Sequence, residues 1–257
     1  MPAGYAHYIF GEKVLEALDE PYRQLIERNI DLYHIGVHGP DILFYHRFYK
    51  PNEVSKLGSS IHYEEAYPFM EHSLKVIEES KDREASIAYM YGFITHFALD
   101  HSCHPYIYKM QEVLDMSHSE IESELDRKLL VDRHLDPIST CLTTHIKLNH
   151  YVSKIIAPFY DLTEENIYKT LHDLLYYLEW LRAPGKVKRG FVHGAMKIAG
   201  YYNKYGGLII NYEPNEKSMD CVLELTRRID DNVDVAKGYI EEFLDHELNE
   251  EYHNNFE

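Results

Sequence analysis

Apolar positions recur at helical spacing along most of the chain. From Gly4 to Arg28, Ile9, Val14, Leu15, Leu18, Leu25 and Ile26 fall at intervals that build one buried helix face. The Glu20-Pro21 step disfavours α backbone at Glu20, so this helix is predicted to break or restart there. Asn29 to Gly58 is rich in His, Gly, Pro and aromatics, carries the turn signal Gly39-Pro40-Asp41, and reads mostly as loop. Ser59-Ser60-Ile61-His62 leads into a helix from about Tyr63 to Glu78. A central helix, apolar nearly all round, is predicted from Glu84 to Asp100, with Pro105 bending or ending it. Ser117-His-Ser-Glu120 has the capping-box form and opens a helix to about Leu130.

Pro137 and Pro158 punctuate two further helical stretches. Asp161-Leu-Thr-Glu164 can cap a long helix through Ile167, Leu171, Leu174, Leu175, Leu178 and Leu181, which Pro184-Gly185 stops. A shorter helix through Val192, Met196 and Ala199 follows, and a last one from about Ser218 to Leu248 precedes an acidic tail. Alternating β patterns of useful length are missing. The pattern therefore predicts an all-α fold, a single-domain multi-helix bundle over residues 1–257 with no linker.

A formal charge of −17 would repel a phosphate backbone or an anionic membrane unless cations intervene, so nucleic acid is not expected as a partner. Cys103, Cys141 and Cys221 lack CxxC spacing and are odd in number, which argues against a disulfide framework or a zinc ribbon. The N-terminal residues show no basic region followed by an apolar run, and no segment reaches the ~18 apolar residues of a membrane span. Those features predict a cytoplasmic protein.

Chemistry concentrates in the central helix. His96, Asp100 and His104 recur every four residues among Phe93, Ile94, Phe97 and Leu99, so they stack along one buried stripe. Burying an acid and two imidazoles there is costly unless they are paired or bound to a cation. A His followed four residues later by an acid arises about three times by chance in this composition, so spacing alone is weak. The chain has four such pairs. His246/Glu250 and His253/Glu257 fall in the polar tail and read as solvated, whereas His96/Asp100 and His118/Glu122 lie on helices that can face each other across a bundle. Nitrogen and oxygen donors without Cys pairs suit Zn, Fe or Mn.

In their order along the chain, His7, Gly39-Pro40-Asp41, Ser60-Ile61-His62, His96-Phe-Ala-Leu-Asp100, His104-Pro105 and His118-x-x-x-Glu122 resemble the zinc-dependent phospholipase C family, whose helical relatives include the S1/P1-type nucleases. The resemblance covers about the first half of the chain. It implies a buried site of two or three Zn2+ ions: Asp41, His62, His96 and Asp100 on one, Asp100 bridging to a second held with His7, and His104, His118 and Glu122 on a third. His104 stands closer to the acid than the family's third His usually does, and His101 is the alternative. Asp41 would also be the general base.

The implied activity is hydrolysis of phosphate esters, with a phospholipid or other phosphodiester as substrate. An S1/P1-like nuclease is the nearest rival, supported only by the short basic cluster Lys186-Val-Lys188-Arg189. A non-catalytic helical metal-binding protein is the other alternative. Among the remaining histidines, His38 is expected to support the ligands from behind; His34, His46 and His72 read as surface or supporting residues, and His145, His150, His172 and His193 as helix-face or core residues.

Overall fold

The computed structural model describes residues 4–244, 248 and 250–256, with only the backbone described at Asn203 and Lys204. The helices are α1 Gly4–Ala17, α2 Tyr22–Arg28, α3 Ile30–Gly36, α4 Glu53–Tyr63, α5 Ala66–Glu79, α6 Arg83–Leu114 and α7 His118–Asp132. They continue with α8 His150–Ile156, α9 Glu164–Leu181, α10 Lys186–Ile198, α11 Tyr202–Tyr205, α12 Met219–Asp231 and α13 Val233–Glu242. A 3-10 turn over Gly39–Tyr45 joins α3 to α4. The fold is all-α, and the described residues include no strand.

The axis of the molecule is α6, buried almost continuously from Ala85 to Asp100. Helices α1, α3, α5, α7, α12 and α13 all pack on it. The closest approach is to α3: a Cβ on Gly92 would lie 2.3 Å from Tyr33 O, and one on Gly36 would lie 2.2 Å from Tyr89 O. Only two glycines let those backbones meet. One hydrophobic cluster runs from Tyr5 in α1 to Phe256 near the other end of the chain.

Several boundaries depart from expectation. The stretch read as loop from Asn29 to Gly58 holds α3, the 3-10 turn and most of α4. Helix α3 has seven residues and owes its order to burial of Leu32, Tyr33, Ile35 and Gly36 against α6, a tertiary contact that local pattern does not show. Pro105 does not end α6. Pro105 lacks the N–H that a helix residue gives to the carbonyl four positions back, and the helix is braced beside it from outside: Arg228 of α12 donates to Ser102 O at 2.8 Å and Asn232, which caps α12, to Ser102 Oγ at 2.5 Å. The last predicted helix is two, α12 and α13, meeting at Asn232.

The tail is only partly solvated. Tyr252 and Phe256 are buried, while His253 is exposed and stacks on Tyr67. His246 and Glu257 lie outside the described residues.

Candidate metal centre

Five elements converge on one polar pocket inside this apolar body. Helix α1 supplies His7, the 3-10 turn Asp41, α4 His62, α6 His96, Asp100 and His104, and α7 His118 and Glu122. All but His118 are buried. Local chemistry sets each approach. Ser117 caps α7 reciprocally with Glu120, which places His118 and Glu122 on its first turns. Asp126, one turn further along α7, accepts the backbone N–H of Ala6 at 2.8 Å and of Tyr5 at 3.4 Å, fastening the start of α1 so that His7 points inward. Burial pushes the Asp126 carboxyl up to about 8.

Three groups of donors emerge, each with its ligand atoms within 4.8 Å of one another: Asp41, His62 and His96; His7, His96 and Asp100; His104, His118 and Glu122. Asp100 sits between them. Its Oδ2 is 3.0 Å from His96 Nε2, while its Oδ1 is 3.1 Å from His7 Nε2 and 3.4 Å from His104 Nε2. His62 Nε2 lies 2.8 Å from Asp41 Oδ1, and His118 Nε2 lies 3.1 Å from Glu122 Oε1. His104 joins the third group to Asp100, and within its own group lies 3.9 Å from Glu122 Oε1. His101 does not join them; it stacks on Phe97 and faces Glu251 at 3.7 Å.

Ring orientation tests whether a cation fits. His62 Nδ1–H donates to Gly58 O at 2.7 Å and His96 Nδ1–H to Val37 O at 3.3 Å, because a carbonyl can only accept. Each Nε2 is thereby left facing a carboxylate. For His62, burial disfavours charge, yet the hydrogen bond and charge of Asp41 outweigh it and raise the imidazole to about 9. His96 behaves differently: burial holds its pKa below the ordinary value, so at neutral pH its Nε2 is a bare lone pair aimed at an acid. That nitrogen has no hydrogen-bond partner, and neither has His7 Nδ1 or His104 Nδ1. Two acceptors 3.0 Å apart in a dry interior repel unless something positive sits with them. The donor set fits a cation such as zinc.

The family comparison agrees with this geometry. Residues 6–179 match the family described as zinc dependent phospholipase C, a span that contains all eight of these side chains. The chain belongs to the zinc-dependent phospholipase C family. The match reaches well past the residues that carry the resemblance in the sequence, through most of α9. No curated protein and no solved structure matches the chain.

Around these eight side chains the structure adds residues that spacing did not reveal. Gly39 lies under the His96 ring, and Phe256 packs against both His62 and His96, with ring centroids 5.5 and 5.9 Å away. His38 Nε2 pairs with His145 Nε2 at 2.8 Å and Tyr8 stacks on His145 at 4.0 Å, while His7 and His96 lie near enough for their charges to act on the His38 ring. His34 bonds to Glu12 at 2.9 Å and His46 to Thr170 at 2.9 Å. His72 reaches Pro158 O, His150 pairs with Glu164 and His172 with Asp173, all away from the pocket.

Proposed function

We propose that this protein is a phospholipase C-like phosphodiesterase that uses a zinc-activated water. Family membership supports a metal-dependent hydrolase of that kind, and the observation that carries the reading is the bare His96 Nε2 facing Asp100 at the meeting point of three donor groups. In this reading Asp41, His62, His96 and Asp100 would hold one zinc, Asp100 would be shared with a second held with His7, and His104, His118 and Glu122 would hold a third. Bound zinc lowers the pKa of a coordinated water and neutralises charge on the phosphate oxygens.

The chain's own residues do the positioning. Burial works against ionisation of Asp41, but the hydrogen bond and charge of His62 beside it keep the carboxyl below the ordinary range; with both side chains on zinc the cation would supply that positive charge instead, leaving Asp41 an anion able to orient a water and accept its proton. Gly58 O and Val37 O hold the rings of His62 and His96 in register with it. His118, the most accessible of the donors, marks the side from which a phosphate ester can enter. Attack of the water on phosphorus would break the ester bond to the diacylglycerol and release the phosphorylated headgroup. Three unpaired cysteines support a reducing, cytoplasmic setting.

Elemental analysis of the purified protein, followed by hydrolysis assays on phosphatidylcholine, soluble phosphodiesters, phosphomonoesters and single-stranded DNA, tests this. Asp100→Asn should lose at least one equivalent of zinc and lower phosphodiester turnover by ~100-fold or more, since ligand loss exceeds the effect of losing a group behind a ligand. Full zinc occupancy in that variant would overturn the assignment, and preferential cleavage of DNA would move it to the nuclease reading.

A further inference from the structure

The most basic part of this acidic chain begins where the family match ends. Between Trp180 and Tyr212 there is no Asp or Glu, although the chain has 43, and there are six of its 26 Lys and Arg. Helix α10 lies in that stretch and turns its apolar residues outward. Val187 is 89%, Phe191 64% and Ile198 92% exposed, and Val192 is its one buried residue.

Those exposed side chains form a stripe. At 100° per residue, 187, 191, 194 and 198 fall within about a sixth of a turn, and a side chain added at Gly190 or Gly194 would meet nothing within 4 Å. Lys186 and Lys197 stand exposed about a quarter turn to one side of it, Lys197 with its Nζ 4.7 Å above the Tyr202 ring. The other two cations of α10 are occupied in holding its inner face: Lys188 donates to Glu179 O and Arg182 O, and Arg189 donates to Ile210 O and covers the Tyr212 ring. On α9, Trp180 lies 6.2 Å from Phe191 and extends the apolar face with an indole that is 40% exposed.

We propose that α10, with Trp180 of α9, is a docking face for an anionic phospholipid bilayer. Charge complementarity selects that occupant: in a chain of charge −17, a basic segment free of Asp and Glu meets anionic headgroups favourably. The stripe of Val187, Phe191 and Ile198 enters the boundary between headgroups and acyl chains, the flanking lysines reach the phosphates, and Trp180 sits at headgroup level. Docking is peripheral, because no helix of the described residues is long and apolar enough to cross a membrane.

Position gives the face a use. The segment that follows α10 is tied to the wall of the metal centre: Ser123 of α7 donates to Gly207 O at 2.5 Å, and Phe48, just beyond the turn that carries Asp41, packs against Tyr205 with centroids 4.8 Å apart. The docking face is thereby joined, through the segment that follows it, to the elements that carry Asp41, His118 and Glu122. The proposal deepens the lipid reading of that centre but requires no turnover.

Trp180 is the only tryptophan, so its fluorescence reports on this face alone. Adding vesicles rich in phosphatidylglycerol to the wild-type, zinc-loaded protein should shift its emission to the blue and allow quenching by lipids brominated on their acyl chains. Vesicles of phosphatidylcholine alone should bind ~tenfold more weakly or worse. Phe191→Asp and the pair Lys186→Glu with Lys197→Glu should each weaken flotation with phosphatidylglycerol vesicles by at least ~tenfold, with circular dichroism and melting temperature showing that both stay folded.

Wild-type protein that stays free of such vesicles, or variants that float as well as wild type, would overturn the proposal. So would a dimer in sedimentation equilibrium that Phe191→Asp splits, or saturable binding of single-stranded DNA in place of vesicles; these would assign the face to a second copy or to nucleic acid. Vesicle binding without hydrolysis of any phosphodiester would leave docking standing and remove the hydrolase reading. Hydrolysis of a soluble phosphodiester without vesicle binding would do the reverse.

Discussion

Gly39 shows how a single position ties backbone strain to the candidate chemistry. Its φ is +51°, in the left-handed region, and a Cβ there would lie 2.3 Å from Cδ2 of the His96 ring. Gly39→Ala should therefore destabilise the fold by ~1–3 kcal/mol in a urea titration and lower zinc content, because either the turn or the ring must move. Gly238→Ala, on a helix with open space around it, should instead stabilise by ~0.5–1 kcal/mol. Equal effects at the two positions would refute the steric account. The turn signal Gly39-Pro40-Asp41 is visible in the sequence, but the reason for the glycine is a ring 57 positions away. The eight candidate donors were legible because acids and imidazoles at helical spacing within apolar surroundings have few inexpensive explanations. Asp126, Phe256 and the His38–His145 pair carried no such local signature; each acts through a contact more than 100 residues along the chain or at its far end.

At the scale of elements, periodicity exposed the long amphipathic helices and missed the short ones. Helices α6, α7 and α9 each present a sustained apolar face or a reciprocal cap. Helix α3 does not, since seven residues hold too few local hydrogen bonds to stand alone and its order comes from α6. The α3/α6 contact is accordingly the place where an added methyl group costs most. Gly92→Ala would put a Cβ 2.3 Å from Tyr33 O and 2.8 Å from the Cα of Gly36, backbone atoms that cannot rotate aside. The expected loss is ~2–3 kcal/mol in denaturant unfolding, at the upper end for overpacking, with His96 displaced because it lies one turn further along α6. Hydrogen exchange should show the loss of protection beginning in α3 and at 89–96 of α6. If α3 amides keep wild-type protection, the close approach is not what orders that helix.

For the molecule as a whole, the consequence is a stability that depends on pH through histidines outside the donor set. His145 faces His38, Tyr8, His34 and, along its own loop, Lys147; no acid bonds to it. Burial, with the neighbouring positive groups adding to it, lowers its pKa to about 3, and burial lowers that of His38 well below the ordinary value. Both rings are therefore neutral in the folded protein near pH 5, where the unfolded chain protonates them. The unfolded state then binds more protons, so stability is fully present above about pH 6.5 and is lost as pH falls from there towards 3. The slope should reach ~1.4 kcal/mol per pH unit for each ring. Acid also strips metal from imidazole ligands, which would bend the same curve. His145→Gln separates the two: it removes one titrating ring and leaves the donor set untouched. Denaturant unfolding of wild type and variant between pH 7 and 5 should give curves that converge as pH falls, with the difference in slope near ~1 kcal/mol per unit. Parallel curves would place the acid sensitivity in the metal centre instead.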